Sequence, residues 1–302
     1  MSEKIKSIKA TRYDKKVKSV LSGEITTVES PLSIKKYDED GNLIYSKEWG
    51  ENQMISEFYQ LEYQNNKPIK RLTYSDENEL AETEYYEYDS EGLLSKTILE
   101  YLDGSQDITT HTYNEDKKRI QSNSIDDEGD QGEQEYWEYE GENLVGYRMI
   151  NDFGDLEEEQ KMSYNAQNLL IEKSVLNNMN ETNFRWTYEY NDDGKLILET
   201  QFSSKGNPIE EIQYEYNNKG ELILEKTENA KQTLIKEINY DEQGNDIYTR
   251  LVDDENELTL YEIWRTFDEN KKQLSTRVLM YGNGESPNME YEVKYEYELW
   301  PQ

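Results

Sequence analysis

A tyrosine-headed turn recurs along this chain every 24–27 residues. Tyr37 opens YDEDGNLI, Tyr88 opens YDSEGLL, Tyr190 opens YNDDGKLI, Tyr216 opens YNNKGELI and Tyr240 opens YDEQGNDI. Looser copies start at Tyr63, Tyr113, Tyr139, Tyr164 and Phe267, with successive anchors 26, 25, 25, 26, 25, 26, 26, 24 and 27 residues apart. A period of this size means that one supersecondary unit stacks on copies of itself. It restricts the fold more tightly than any composition figure does. It also favours a surface over a catalytic pocket.

One unit shows the grammar. Phe184, Trp186, Tyr188 and Tyr190 alternate with Arg185, Thr187 and Glu189, a period of two. Asn191, Asp192, Asp193 and Gly194 follow as a turn. Leu196, Leu198, Thr200 and Phe202 share a parity on the return strand, and a second turn closes the unit around Ser203–Pro208. The spacing predicts an all-β fold: an antiparallel meander of about ten 25-residue, two-strand repeats. About twenty strands cannot lie flat, because sheets twist by roughly 20–25° per strand. The expectation is a single curled or spiralling sheet with aromatic and leucine side chains inside and charge outside. Residues 155–161 have a helix-compatible composition, but the repeat register assigns them to turn and strand. No break in composition marks a linker, so residues 1–302 read as one elongated domain. In it, 31–280 hold the repeats, and 1–30 and 281–302 are cap-like ends.

The motif Y-[D/N]-x-x-G-x-[L/I], carried best by Tyr37–Leu43, Tyr88–Leu94 and Tyr190–Leu196, resembles the YD or RHS repeat family. The resemblance covers roughly residues 30–270. It implies a spiralling antiparallel β array, which in long members forms a shell around a toxin domain. This chain resembles a short, stand-alone relative without such a domain.

Charge narrows the partners. The chain carries 66 acidic and 33 basic residues, a formal net charge of −33. Such a balance disfavours nucleic acid and anionic membranes and favours a basic protein partner. The 26 tyrosines and five tryptophans separate it from disordered acidic chains. The absence of cysteine excludes disulfides and thiolate metal sites. The beginning, MSEKIKSIKATRYDKK, lacks the apolar stretch of a signal peptide. The expected location is cytoplasmic, with a secreted or surface location as the alternative.

No catalytic constellation stands out. The single histidine, His111, rules out multi-histidine metal sites and reads as structural. Acidic turns such as Asp38–Asn42 and Asp126–Asp130 hold oxygen ligands, yet Asp, Asn and Gly belong in tight turns in any case. We expect no enzyme activity, no cofactor and no metal. Aromatic residues of the parity opposite the anchors, Phe58, Tyr85, Tyr101, Tyr136 and Trp264, are the candidate contact residues. The expected function is a non-catalytic protein-binding scaffold, such as an acidic immunity or antagonist protein that sequesters a basic effector. The alternative is an exported repeat protein that binds glycan or another surface protein.

Overall fold

The structure, a computed structural model, describes residues 4–19, 24–179, 182–282 and 286–301. These form 22 strands and one three-residue 3-10 turn, Glu51–Gln53. The all-β expectation holds. Residues 155–161 lie in turn and strand as the repeat register required.

The chain groups into two compact units. The first holds β1 (Ile5–Ser19), β2 (Glu24–Tyr37), β3 (Leu43–Trp49) and β4 (Ile55–Gln64). It also holds β17 (Leu222–Asn229), β18 (Thr233–Tyr240), β19 (Asp246–Asp253), β20 (Leu258–Phe267), β21 (Gln273–Tyr281) and β22 (Pro287–Leu299). The second holds β6 (Glu79–Tyr88), β7 (Leu94–Tyr101), β8 (Gln106–Tyr113), β9 (Arg119–Ile125), β10 (Gln131–Glu140) and β11 (Asn143–Ile150). It continues through β12 (Leu156–Tyr164), β13 (Leu170–Asn177), β14 (Thr182–Tyr190), β15 (Leu196–Phe202) and most of β16 (Pro208–Tyr216). The strand between β4 and β6, β5 (Lys67–Asp76), contributes residues to both.

One expectation is overturned. The sheet is not an open curl or spiral. Its first strand pairs antiparallel with its last, from Ile5↔Leu299 to Asp14↔Tyr291, so the 22-stranded sheet closes on itself as a barrel does. β1 also pairs with β2 along nearly its whole length, from Ser7↔Lys36 to Ser19↔Glu24. The two end segments read as separate caps are thus hydrogen-bonded to each other. The physical reason is legible afterwards. β1 carries Lys6, Lys9, Arg12, Lys15, Lys16 and Lys18 against one acid, Asp14, whereas β22 carries Glu290, Glu292, Glu296 and Glu298 against Lys294. Opposite charges therefore meet along the seam, as in Lys6–Glu298 at 2.6 Å and Lys15–Glu290 at 2.7 Å. The centre of the seam is closely packed, with Ala10, Thr11 and Val293 buried. Ladder hydrogen bonds and this packing hold it. The partly exposed ion pairs add only about 0–1 kcal/mol each.

The expected division of faces also fails. At the anchors the register shifts by one residue: Tyr190 pairs with Leu196, but Glu189 pairs with Leu198. The same bulge recurs at Tyr37, Tyr88, Tyr113, Tyr139, Tyr164, Tyr240 and Phe267. One extra residue sends the return strand to the other face. Trp186 and Tyr188 therefore face Gln201 and Glu199, whereas Thr200 and Phe202 face Thr187 and Arg185. Aromatic and aliphatic residues are shared between the two faces, and so is charge. Few side chains are fully buried, and most strand residues are half-buried.

Candidate functional site

The repeat turns headed by Asp or Asn are built by that residue. In Asp38–Asn42 the carboxylate Oδ1 accepts the backbone N–H of Asp40 at 3.0 Å and of Asn42 at 2.8 Å. The Gly41 N–H donates to the Asp38 carbonyl at 3.1 Å. Asn191 does the same for Asp193 and Lys195, and Asp241 for Gln243 and Asn245. These side chains are spent on their own backbone, which accounts for Asp or Asn at this position without a ligand. The fourth turn residue has positive φ: Gly41, Gly92, Gly194 and Gly244 where glycine is present, and Lys117, Asn168 and Lys271 where it is not. The units headed by Tyr113, Tyr164 and Phe267 therefore keep the same turn without glycine, whereas the Tyr63 unit turns on Asn65 and Asn66, both at positive φ. Among the described residues no cluster of three or more metal-ligating side chains occurs.

The anchor tyrosines have a second job. The hydroxyl of Tyr190 donates to the carbonyl of Leu170 at 2.7 Å, and Tyr164 donates to Leu144 at 2.9 Å. Tyr88, Tyr113, Tyr240 and Tyr297 reach the carbonyls of Pro68, Leu94, Leu222 and Gln273 in the same way. The acceptor lies beside the bulge of the preceding unit. The ladder between β13 and β14 stops at Glu172↔Thr187, two residues short of Leu170. The phenol thus satisfies a carbonyl that the strand pairing leaves over. Burial first, then the Glu199 charge and the neighbouring Tyr164, raise the pKa of the Tyr190 phenol.

The five sequence-selected aromatics are not brought together. Phe58, on β4, is only 5% exposed; it stacks on Tyr74 at 4.5 Å between ring centroids and lies under the Lys47 ammonium. Tyr85 pairs with Ile98 and has Lys70 over its ring. Tyr136 pairs with Arg148, whose guanidinium sits 5.6 Å from the ring centroid. Trp264 packs on Tyr248 at 5.3 Å and meets Arg277 across the strand pair. Tyr101 pairs with Glu82 and so shares the face of its anchor, Tyr88; its hydroxyl donates to Asp107 at 2.6 Å. That bond, with burial second, raises its pKa to about 12. Four of the five thus sit against a lysine or arginine of this chain.

The turns at the other end of the strands carry features that the aromatic search missed. In the second unit three successive mid-repeat turns, 102–105, 126–130 and 151–155, hold one, four and two acidic residues and no basic one. Leu102 and Phe153 project from the outer two of these turns, 69% and 83% exposed. Neighbouring strands lie about 4.8 Å apart, so these two turns, four strands apart, are about 19 Å from each other along the sheet. The anchor turns of the same strands differ. There Lys117 pairs with Glu91 at 2.9 Å, and Lys118 pairs with Glu142 and donates to the Gly141 carbonyl. The contrast, DDEGD against NEDKK, is present in the sequence, where Asp126–Asp130 reads only as oxygen ligands or a tight turn.

No protein-family model matches this chain, and no curated protein is similar to it in sequence. Solved structures that match in part include the toxin complex TcdB2-TccC3-TEV, at 12% identity and a TM-score of 0.30. That match covers 93% of this chain and 19% of the other, so this chain spans about a fifth of the toxin chain. A porin-like protein from Bacteroides uniformis ATCC 8492 matches at 10% identity and a TM-score of 0.34, over 97% of this chain and 98% of the other. A porin-like protein from Bacteroides vulgatus ATCC 8482 matches at 8% identity and a TM-score of 0.23, over 98% and 99%. The likeness to both groups is weak and carries no activity over to this chain.

Proposed function

We propose that this chain is a non-catalytic binding scaffold that holds a basic protein partner, built as a relative of the YD or RHS repeat family. The repeat motif supports the kinship. The observation that carries the binding role is the set of three acidic turns at 102–105, 126–130 and 151–155, with Leu102 and Phe153 exposed among them. Exposed apolar side chains inside a field of one sign suit a basic surface with apolar spots, since charge steers the encounter and apolar contact slows release. Acids kept only for solubility would not need apolar neighbours.

Lipid is a poor alternative. Charged residues stand in mid-strand on both faces: Glu135 and Lys173 on the anchor face, Arg148 and Arg185 on the other. Charges so placed favour a protein partner over the bilayer, to which a barrel presents an apolar band of about 25 Å.

The test is retention of basic proteins from native lysate, followed by association kinetics across salt. The expected on-rate falls steeply between 0.01 and 0.15 M salt, as the Debye length shrinks from about 30 to about 8 Å. Leu102→Ser/Phe153→Ser should speed dissociation and leave the salt slope unchanged. No retained basic protein, or an on-rate indifferent to salt, overturns the reading.

A further inference from the structure

The hairpin ends of the first unit hold a second feature, made by residues distant in sequence. Trp49, Gln53, Met54 and Ile55 come from the β3–β4 connection, and Ser75, Asp76 and Glu77 from the end of β5. Together they line an open cavity of about 300 Å³. Its apolar part is an indole, a thioether and an isoleucine. Its polar part is two carboxylates on consecutive residues. One Asp76 oxygen accepts the Glu77 N–H at 2.7 Å, which fixes the carboxylate against its own backbone.

Two of these residues already hold a cation. The Lys47 ammonium lies 4.9 Å from the Trp49 ring centroid and 5.3 Å from that of Phe58, and it pairs with Glu77 Oε1 at 2.8 Å. The Lys47 side chain is only 7% exposed, whereas Glu77 is 68% exposed. A lysine so deeply covered is stable only where a ring face and a counter-charge replace its water. The chain's own side chain therefore demonstrates what Trp49 and Glu77 can do. The cavity offers the same indole and the same carboxylate, with Asp76 added, to a group from outside.

We infer that this cavity is a receptor for an organic cation of the guanidinium or alkylammonium class, presented by a basic protein as an arginine or lysine side chain. The source of the cation rests on the binding role proposed above; the cavity's chemistry does not. Trp49 supplies the ring face, Asp76 and Glu77 the negative charge, and Met54 and Ile55 the surface for the aliphatic stem. A planar guanidinium suits it best, because it stacks on indole and forks onto carboxylates.

The probe is N-acetyl-arginine amide, with N-acetyl-citrulline amide as its neutral isostere. The readout is the Trp49 indole N–H resonance of the full chain in 0.15 M salt, assigned with Trp49→Phe. The expected result is a saturable shift with the arginine compound and none with the citrulline compound. Asp76→Asn, which leaves the Lys47–Glu77 pair intact, should weaken binding two- to five-fold, as expected for one part-exposed charge contact. Equal shifts with both compounds, no shift of Trp49, or an unchanged affinity in Asp76→Asn overturns the assignment. If basic proteins are retained while Trp49 does not respond, the cavity assignment falls and the scaffold role stands. If Trp49 responds and no basic protein is retained, the scaffold role falls and a small organic cation is the ligand.

Discussion

At the scale of single residues, a hydroxyl group separates this repeat from a merely aromatic one. Tyr190 is half-buried and donates to the Leu170 carbonyl. Tyr190→Phe keeps the ring and removes the bond, and should cost about 0.5–1.5 kcal/mol. Tyr190→Ala should cost clearly more, because ring contacts go too. Chemical denaturation of both variants checks the order; equal costs would mean that the hydroxyl contributes nothing. His111 gives a second prediction. Its Nδ1 lies 2.9 Å from Ser122 Oγ and its Nε2 3.2 Å from Thr97 Oγ1. Burial first, and the Arg119 charge second, lower its pKa from 6.5 to about 4. Between those values the unfolded chain binds the proton and the folded chain does not. The stability of the neutral form is whole above pH 6.5 and is lost as pH falls towards 4. Thermal melts of the wild type should fall relative to His111→Gln across that window and run parallel to it above.

At the scale of elements, the strands follow from alternation, and the turns follow from one Asx residue and one positive φ. Gly194 has φ +76°, and the nearest atom to a Cβ placed there is Leu169 Cδ1 at 3.8 Å. Gly194→Ala is therefore penalised by backbone conformation and not by crowding, at about 1–2 kcal/mol. Gly194→Asn should recover part of this, since Asn168 adopts φ 60° at the equivalent position. Stability measurements on the pair check it. Strand number, turn positions and the identity of the capping residues were legible in the sequence, because each is a local property. The division of faces was not. Parity arguments assume an unbroken register, and the bulges beside the anchors break it, as does a second shift in several repeats, such as that between Gln201 and Phe202. Phe58 shows the cost: parity marked it as a contact residue, but Lys47 and Tyr74 cover it from neighbouring strands. Trp49 and Asp76 went unnoticed because only the pairing of successive hairpins brings them to one cavity.

At the scale of the whole molecule, local reading had no access to closure. Pairing of β1 with β22 joins residues almost 300 positions apart, and no periodic pattern encodes it. The hint lay in the opposite charge of the two ends. Deleting residues 287–302 would leave β1 and β21 with one unpaired edge each, a template for pairing with other chains. The truncated chain should associate at micromolar concentration, whereas the full chain should not; sedimentation velocity across concentration decides it. Reversing one side of the seam with Lys6→Glu/Lys15→Glu should produce a milder form of the same defect, reversed by Glu298→Lys/Glu290→Lys.

The seam also sets an order of events during synthesis. Repeat hairpins are local and can pair as soon as each leaves the ribosome. The outer edge of β1 has no such neighbour: its partner is translated about 280 residues later, on the order of 14–60 seconds at 5–20 residues per second. Through that interval a lysine-rich strand stands open on the nascent chain, and its charge keeps it from pairing with other lysine-rich edges. The acidic β22 is the strand that fits, and it arrives after β2 to β21 have all been made.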